Sequence, residues 1–398
     1  MKELSKIASQ VQASSTMAID SLAKQMKADG IDVVGFGAGE PDFNTPDEIK
    51  AAGIRAIEEN NTRYTPASGL PGIKKAVCER VKADFHVEYE PSQVMVAAGA
   101  KHCVYVALRA LVNPGDEVIV PAPYWVSYIE LVRMMGGVPV VVTAEESAGF
   151  KITAQQLRDA ITPKTKAMIL NNPSNPTGMV YHGEELKALV DVCVENDLYI
   201  IADEIYSCLL YDGLKFTSVA SLGEEVKKRT ILINGVSKAY AMTGWRIGYA
   251  LAEPEIIKVM SNYLSHCAGS CCTISQKAAE AALSGSQEKI ETMRQAFEER
   301  RNYLVERMNQ VEGVSCIKPE GAFYVMMNME KLVGRTVHGQ VINTCDDFSQ
   351  AFLKYGLVAT VPGTAFGAPN FVRWSYATSM ENIKKGMDRL EAFLKEFQ

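Results

Sequence analysis

At 398 residues the chain is too long for one hydrophobic core, so its length predicts two units, one large and one small. An apolar fraction of 47%, a charged fraction of 22% and ordinary Gly and Pro content exclude a disordered or fibrous chain. A net charge of -6 with no long basic run argues against nucleic acid or an anionic membrane as partner, while leaving room for a local positive pocket that takes small anions.

The first residues, Met1 to Ala8, lack the apolar centre of a signal peptide, and no later stretch approaches the roughly 18 apolar residues of a membrane span. The expected location is therefore cytoplasmic. Gly35-Phe36-Gly37-Ala38-Gly39 has the outline of a dinucleotide fingerprint, but Glu40-Pro41 stands where the last Gly and an opening helix belong. No G-x-x-x-x-G-K-[ST] spacing occurs either, so neither nicotinamide nor NTPase chemistry is expected.

From Val94 onward, β-branched runs at 94–98, 117–120, 167–170, 199–202, 230–233 and 247–251 alternate with segments of helical spacing. Val104, Ala107, Leu108 and Leu111 form one such stripe, and Leu186, Leu189, Val190 and Cys193 another. This order predicts an α/β fold with a mostly parallel sheet covered by helices on both faces. Alternating charges over 287–310 predict a solvent-facing helix that crosses between units. Beyond Gly313, a strand at 322–327 and helices at 346–355 and 380–397 predict a smaller α+β unit. The division expected is an N-terminal segment 1–45 joining the small unit, a large unit 46–285 and a small unit 286–398. Nine Cys without C-x-x-C pairs suit a reducing compartment, and five His without ligand spacing give no reason to expect a metal.

Ligands of open α/β sheets collect beyond the carboxyl ends of the strands, and the unusual residues of this chain lie there. One run opens into Gly99-Ala100-Lys101 and a helix, offering free N–H groups to an anion. Others end in the segment containing Asn175, in Asp203-Glu204-Ile205-Tyr206 and in Ser237-Lys238. A Lys among other cations can lose its proton and serve as nucleophile and base. A carboxylate such as Asp203 can keep a pyridine nitrogen protonated, Asn175 and Tyr206 can bond a phenolate oxygen, and Arg246 can close on a phosphate. These are the requirements of pyridoxal 5′-phosphate.

At these residues the chain resembles the class I aminotransferases of fold type I, in particular the bacterial aspartate aminotransferase subgroup, over essentially its whole length. The motifs are Gly39-Glu40-Pro41-Asp42-Phe43, Tyr64-Thr65, Tyr124-Trp125-Val126-Ser127-Tyr128, Asn175-Pro176-Thr177-Gly178, Asp203-Glu204-Ile205-Tyr206, Ser237-Lys238-Ala239, Gly244-Trp245-Arg246-Ile247-Gly248 and Arg373-Trp374-Ser375-Tyr376-Ala377. The resemblance implies that Lys238 is the imine-forming base, that Asp203 pairs with the pyridinium, that Asn175 and Tyr206 hold the ring oxygen and that Trp125 stacks on the ring. It implies a phosphate held by the Gly99-Ala100-Lys101 backbone, Ser237 and Arg246, with Tyr64 arriving from a second subunit of a homodimer. It assigns Arg373, the Gly39 backbone and Asn175 to the substrate carboxylate. Where some relatives carry Ser three residues before the Lys, this chain has Gly235, which would put more weight on Ser237 and Arg246.

Amino acids and 2-oxo acids are the partners so implied. Lys101, which in the resembled subgroup reaches the distal carboxylate of a dicarboxylate, favours aspartate with 2-oxoglutarate. If Lys101 instead serves the phosphate, aromatic, alanine-type or kynurenine-type donors stay open, as does a carbon-sulfur lyase on the same scaffold. Gln12 stands where prephenate-using relatives tend to carry a basic residue, which argues against prephenate. A sensor built on this fold would be expected to show a fused DNA-binding unit or a degraded site, and neither is visible.

Overall fold

The computed structural model describes residues 2–12 and 15–398. A short strand β1 (Val34–Gly35) precedes β2 (Val94–Ala97), β3 (Glu117–Ala122), β4 (Val138–Thr143), β5 (Thr165–Asn171), β6 (Tyr199–Asp203), β7 (Thr230–Gly235) and β8 (Gly248–Leu251). The last seven form one sheet in the order β2-β8-β7-β6-β5-β3-β4, in which β8 runs antiparallel to both neighbours and the other pairs are parallel. Side chains alternate across a strand, and in β5 Ala167 and Ile169 join one core while Met168 and Leu170 join another. Helices Ala100–Leu111 and Pro254–Cys267 cover the first face, and Gly183–Glu195 and Pro71–Phe85 the second. A strand buried on both faces has no polar side to show. That is why the runs read as continuous apolar stretches.

Six of these seven strands are those expected from the sequence, and β4 is the addition. It lies at the sheet edge with Val138 and Val141 47% and 44% exposed, and it contains Pro139. Pro is tolerated at an edge, but it weakens the strand signal in sequence.

The smaller unit has a four-stranded antiparallel sheet, order β14-β15-β10-β9, made of β9 (Ser315–Cys316), β10 (Tyr324–Asn328), β14 (Val361–Pro362) and β15 (Phe371–Ser375). A hairpin of β11 (Thr336–Val337) and β12 (Gln340–Val341) lies beside it, and β13 (Val358–Ala359) pairs in parallel with β1, binding the N-terminal segment to this unit. Helices Cys345–Gly356 and Met380–Leu394 pack Phe348, Phe352 and Phe393 against one another, with Phe352 against Trp374. Helix Glu288–Gln310 departs from the solvent-facing expectation. Its Met293, Phe297, Leu304 and Met308 form a buried stripe, and Arg301 is fully buried with both ends of its guanidinium on Asp212, at 2.8 and 2.9 Å. The surrounding charges mask this stripe when the sequence is read for polarity alone.

Candidate active site

Strands β2, β5, β6 and β7 end on one side of the sheet, and a cavity of about 370 Å³ opens above those ends. Its floor depends on two glycines that face each other across the β7–β8 pair, Gly235 and Gly248. A Cβ on Gly248 would lie 2.2 Å from the Ala100 nitrogen, and one on Gly235 would lie 2.9 Å from the Gly248 Cα. Backbone here touches backbone, so the start of helix Ala100–Leu111 sits directly against the start of β8, which in turn lies against the end of β7. The departure at Gly235 thus has a packing reason: in this chain the position has no room for Ser.

The helix start is built as an anion site. Gly99 has φ +92°, and a Cβ there would meet the Arg246 guanidinium at 2.5 Å. Arg246, with φ +57°, donates to the carbonyls of Thr243 (2.9 Å) and Ala98 (3.0 Å), and among the described residues no carboxylate pairs with it. First-turn N–H groups at Ala100 and Lys101, the Ser237 hydroxyl and this guanidinium therefore face one cavity with positive charge to spare.

Asp203 ends β6 and is buried. Its carboxylate accepts from the Tyr128 hydroxyl at 2.7 Å and from the Ile205 N–H at 3.3 Å. Burial pushes its pKa upward, opposed by the Tyr128 hydrogen bond, the Ile205 N–H and the charge of Lys238. Lys238 follows β7, and its amine donates to the Gly39 carbonyl. Burial lowers its pKa to about 8; Glu40 opposes that shift, while Arg246 and Arg373 add to it. An amine so placed exchanges its proton near neutral pH, as a base and nucleophile must.

Arg373, on β15, is buried and donates to Asn175 Oδ1 (3.0 Å) and the Gly37 carbonyl (2.9 Å), with Tyr324 and Phe366 against its faces. Burial disfavours its charge, its Nε has no partner, and among the described residues no carboxylate compensates it. A buried guanidinium held only by neutral acceptors is costly until an anion arrives. Lys101 lies over the Trp125 ring, 4.8 Å from its centre, and desolvation on the cavity wall followed by the Arg246 charge lowers its pKa.

Gly39, Ala100, Lys101, Trp125, Asn175, Asp203, Tyr206, Ser237, Lys238, Arg246 and Arg373, all named from the sequence, share this cavity. Tyr64 does not, being fully exposed on its loop. Gln12 is exposed, and its N–H donates to Glu130 at 3.1 Å. Sequence reasoning gave no role to Tyr128, Tyr324, Glu40 or Thr243. Tyr128 and Glu40 stood inside quoted motifs, and their polarity beside Trp125 and Gly39 was the available signal. Tyr324, which bonds the Tyr206 hydroxyl at 3.0 Å, lay in a run that read as an ordinary strand.

These observations fit a phosphorylated pyridine. The helix start, Ser237 and Arg246 suit its phosphate, Asp203 its ring nitrogen, Trp125 its face, and Lys238 its aldehyde carbon.

A family model described as "Aminotransferase class I and II" matches residues 31–390. An aspartate aminotransferase of Geobacillus stearothermophilus is 48% identical over 393 residues, covering 99% of each chain. The crystal structure of the aspartate aminotransferase from Rhizobium meliloti superposes with a TM-score of 0.96 at 39% identity, covering 100% of both chains. That of the Thermus thermophilus aspartate aminotransferase with maleate gives 0.93 at 39% identity, covering 99% of this chain and 100% of the other.

Proposed function

The chain belongs to the class I and II aminotransferases and is a pyridoxal-phosphate-dependent enzyme of fold type I, and from that premise we propose aspartate and 2-oxoglutarate as its preferred pair. The observation that carries this reading is the pair of cations on one cavity: buried Arg373, without a counter-ion among the described residues, and Lys101 on the wall beside Trp125. A dicarboxylate supplies one carboxylate to each. The names of the aspartate aminotransferase relatives and the maleate, itself a dicarboxylate, in the Thermus thermophilus structure support it.

When bound, the cofactor supplies an electron-poor ring that takes up the pair left when the substrate Cα–H bond breaks. The protein's part follows from its own residues. Arg373 and Asn175 fix the α-carboxylate, so that the substrate is oriented before any proton moves. Asp203, steadied by Tyr128, keeps a proton on the ring nitrogen. Lys238 would hold the cofactor and would take up the proton released from the substrate Cα, while Ser237, Arg246 and the helix start would hold the phosphate.

The working form is a homodimer in this reading, supported by the full exposure of Tyr64 and by Leu4 and Ile7, 85% and 49% exposed on the N-terminal segment. Residues 1–45 belong with the small unit 286–398, in keeping with the β1–β13 pairing, and 46–285 form the large unit. Among the described residues no helix is long and apolar enough to cross a membrane, which accords with a cytoplasmic enzyme. Gln12 in the N-terminal segment, where prephenate-using relatives tend to carry a basic residue, argues against prephenate.

The test is kcat/KM for aspartate, glutamate, phenylalanine and alanine in the parent and in Lys101→Ser. Dicarboxylates should lose about 2–4 kcal/mol selectively. Equal losses for all four donors would assign Lys101 to the cofactor, and a parent that prefers phenylalanine would overturn the aspartate reading.

A further inference from the structure

Residues 37–45 form an anchored strap whose first four residues, 37–40, line the cavity. The Gly37 carbonyl takes Arg373, the Gly39 carbonyl takes the Lys238 amine, and Asp42 pairs with Arg300 at 2.7 Å. Thr45 donates to the Ala241 carbonyl at 2.7 Å and accepts from the Trp245 indole at 3.0 Å. Between these ties lies Glu40, whose Oε2 accepts from the Thr243 hydroxyl at 2.9 Å. The carbonyl of that same Thr243 accepts from Arg246 at 2.9 Å. The carboxylate is thus fixed at the wall of the cavity that Lys238 faces, one residue from the carbonyl that holds the amine.

We propose that Glu40 is a positioning residue for Lys238, a carboxylate clamped by Thr243 that counterbalances the surrounding cations and sets the pH range over which the Lys238 nitrogen keeps its proton. The proposal rests on the role given above to Lys238. Lining the same cavity as Lys238 are Asp203 and Tyr206 from the end of β6 and the turn after it, Arg246 from the turn before β8, and Arg373 and Tyr324 from β15 and β10. Lys101 and Tyr128 complete the set from two helices. Asp203 and Glu40 are the two acids among these lining residues, and Asp203 is already engaged by Tyr128 and the Ile205 N–H. Of the charges acting on Lys238, Glu40 exerts the largest effect, ahead of Arg246 and Arg373. Without it, three other cations share the cavity with Lys238 and only Asp203 opposes them.

Glu40→Gln keeps an oxygen to accept from Thr243 and removes the charge. In the holoenzyme the pH midpoint of the visible absorbance should fall by about one unit, the sign expected when a neighbouring anion is removed from a cation. Glu40→Asp should restore most of the shift, and kcat should change more than KM in Glu40→Gln. Borohydride reduction and peptide mapping of the parent accompany the titration. A label at Lys238 with an unmoved midpoint in Glu40→Gln overturns this proposal alone. A label elsewhere overturns the role of Lys238 and this proposal with it.

Discussion

Beside Asp203 in sequence, Glu204 points to the opposite face of the sheet and shows what an enclosed carboxyl costs when no ligand uses it. Its Oε1 accepts from the Val219 N–H (2.8 Å) and the Ser218 hydroxyl (3.1 Å), while Oε2 is buried without a partner. Burial raises its pKa to about 8, opposed by those two hydrogen bonds. In the unfolded chain a Glu ionises near pH 4.3. The folded state therefore holds an extra proton between the two values, and its contribution to stability is complete below the unfolded pKa and lost as pH rises towards about 8. Glu204→Gln, neutral throughout, should remove this decline, a difference on the order of 3 kcal/mol between pH 5 and pH 8. Urea midpoints of parent and variant at both pH values check it, and parallel behaviour would show that Glu204 ionises in the folded protein as it does in the unfolded chain. Among single residues, Lys238, Asp203, Asn175 and Arg373 were legible because each is a polar or charged group at the end of an apolar run or in a motif. Tyr128 and Tyr324 were not, because an aromatic in an apolar stretch reads as core, and only the fold shows which hydroxyl meets which acid.

At the scale of elements, the site depends on how closely β7 and β8 approach the start of helix Ala100–Leu111. Gly248→Ala would force a methyl into the Ala100 nitrogen, and backbone on both sides leaves little room to yield. We expect a loss of at least about 3 kcal/mol in stability and at least about tenfold in cofactor affinity, since the donors of the anion site move with the helix start. Gly244→Ala, in the same motif but with nothing within 4 Å of the added carbon, should change stability by less than about 0.5 kcal/mol. Urea denaturation and absorbance titration with cofactor separate the two variants; equal effects would mean that the contact is not what places the helix. The sheet was legible wherever strands are buried on both faces, and faint where one lies at the edge, as β4 does. Helix Glu288–Gln310 was legible in extent but not in orientation, since Arg301 reads as solvent-facing until Asp212, 89 residues away in sequence, is brought to it.

For the whole molecule, Tyr64 marks what a single chain leaves unfinished. It is fully exposed, on a loop tied down by Thr273 to the Arg63 carbonyl (2.8 Å) and by Gln276 to Thr65 (3.2 Å), so the backbone is held while the ring has nothing to pack on. If each site borrows this ring from a second copy, mixing an inactive Tyr64→Ala variant with an inactive Lys238→Ala variant should restore up to about a quarter of parental activity through hybrid dimers, the share expected from random exchange with one intact site per hybrid. No recovery despite proven subunit exchange would contradict a shared site. The division of the chain proposed near residues 45 and 285 rests on the change of pattern in the sequence, whereas the joining of β1 to β13 left no trace there, because a two-residue strand has no periodicity to read. The central claim, that these elements build an amino-transferring site centred on Lys238, is tested most directly by the two half-reactions followed in one cuvette. The visible absorbance of the holoenzyme should be lost on adding L-aspartate, with oxaloacetate released in equal amount, and restored by 2-oxoglutarate with formation of glutamate, and Lys238→Ala should show neither change. Absorbance that does not respond to aspartate, or release of ammonia in place of recovery with 2-oxoglutarate, would contradict it.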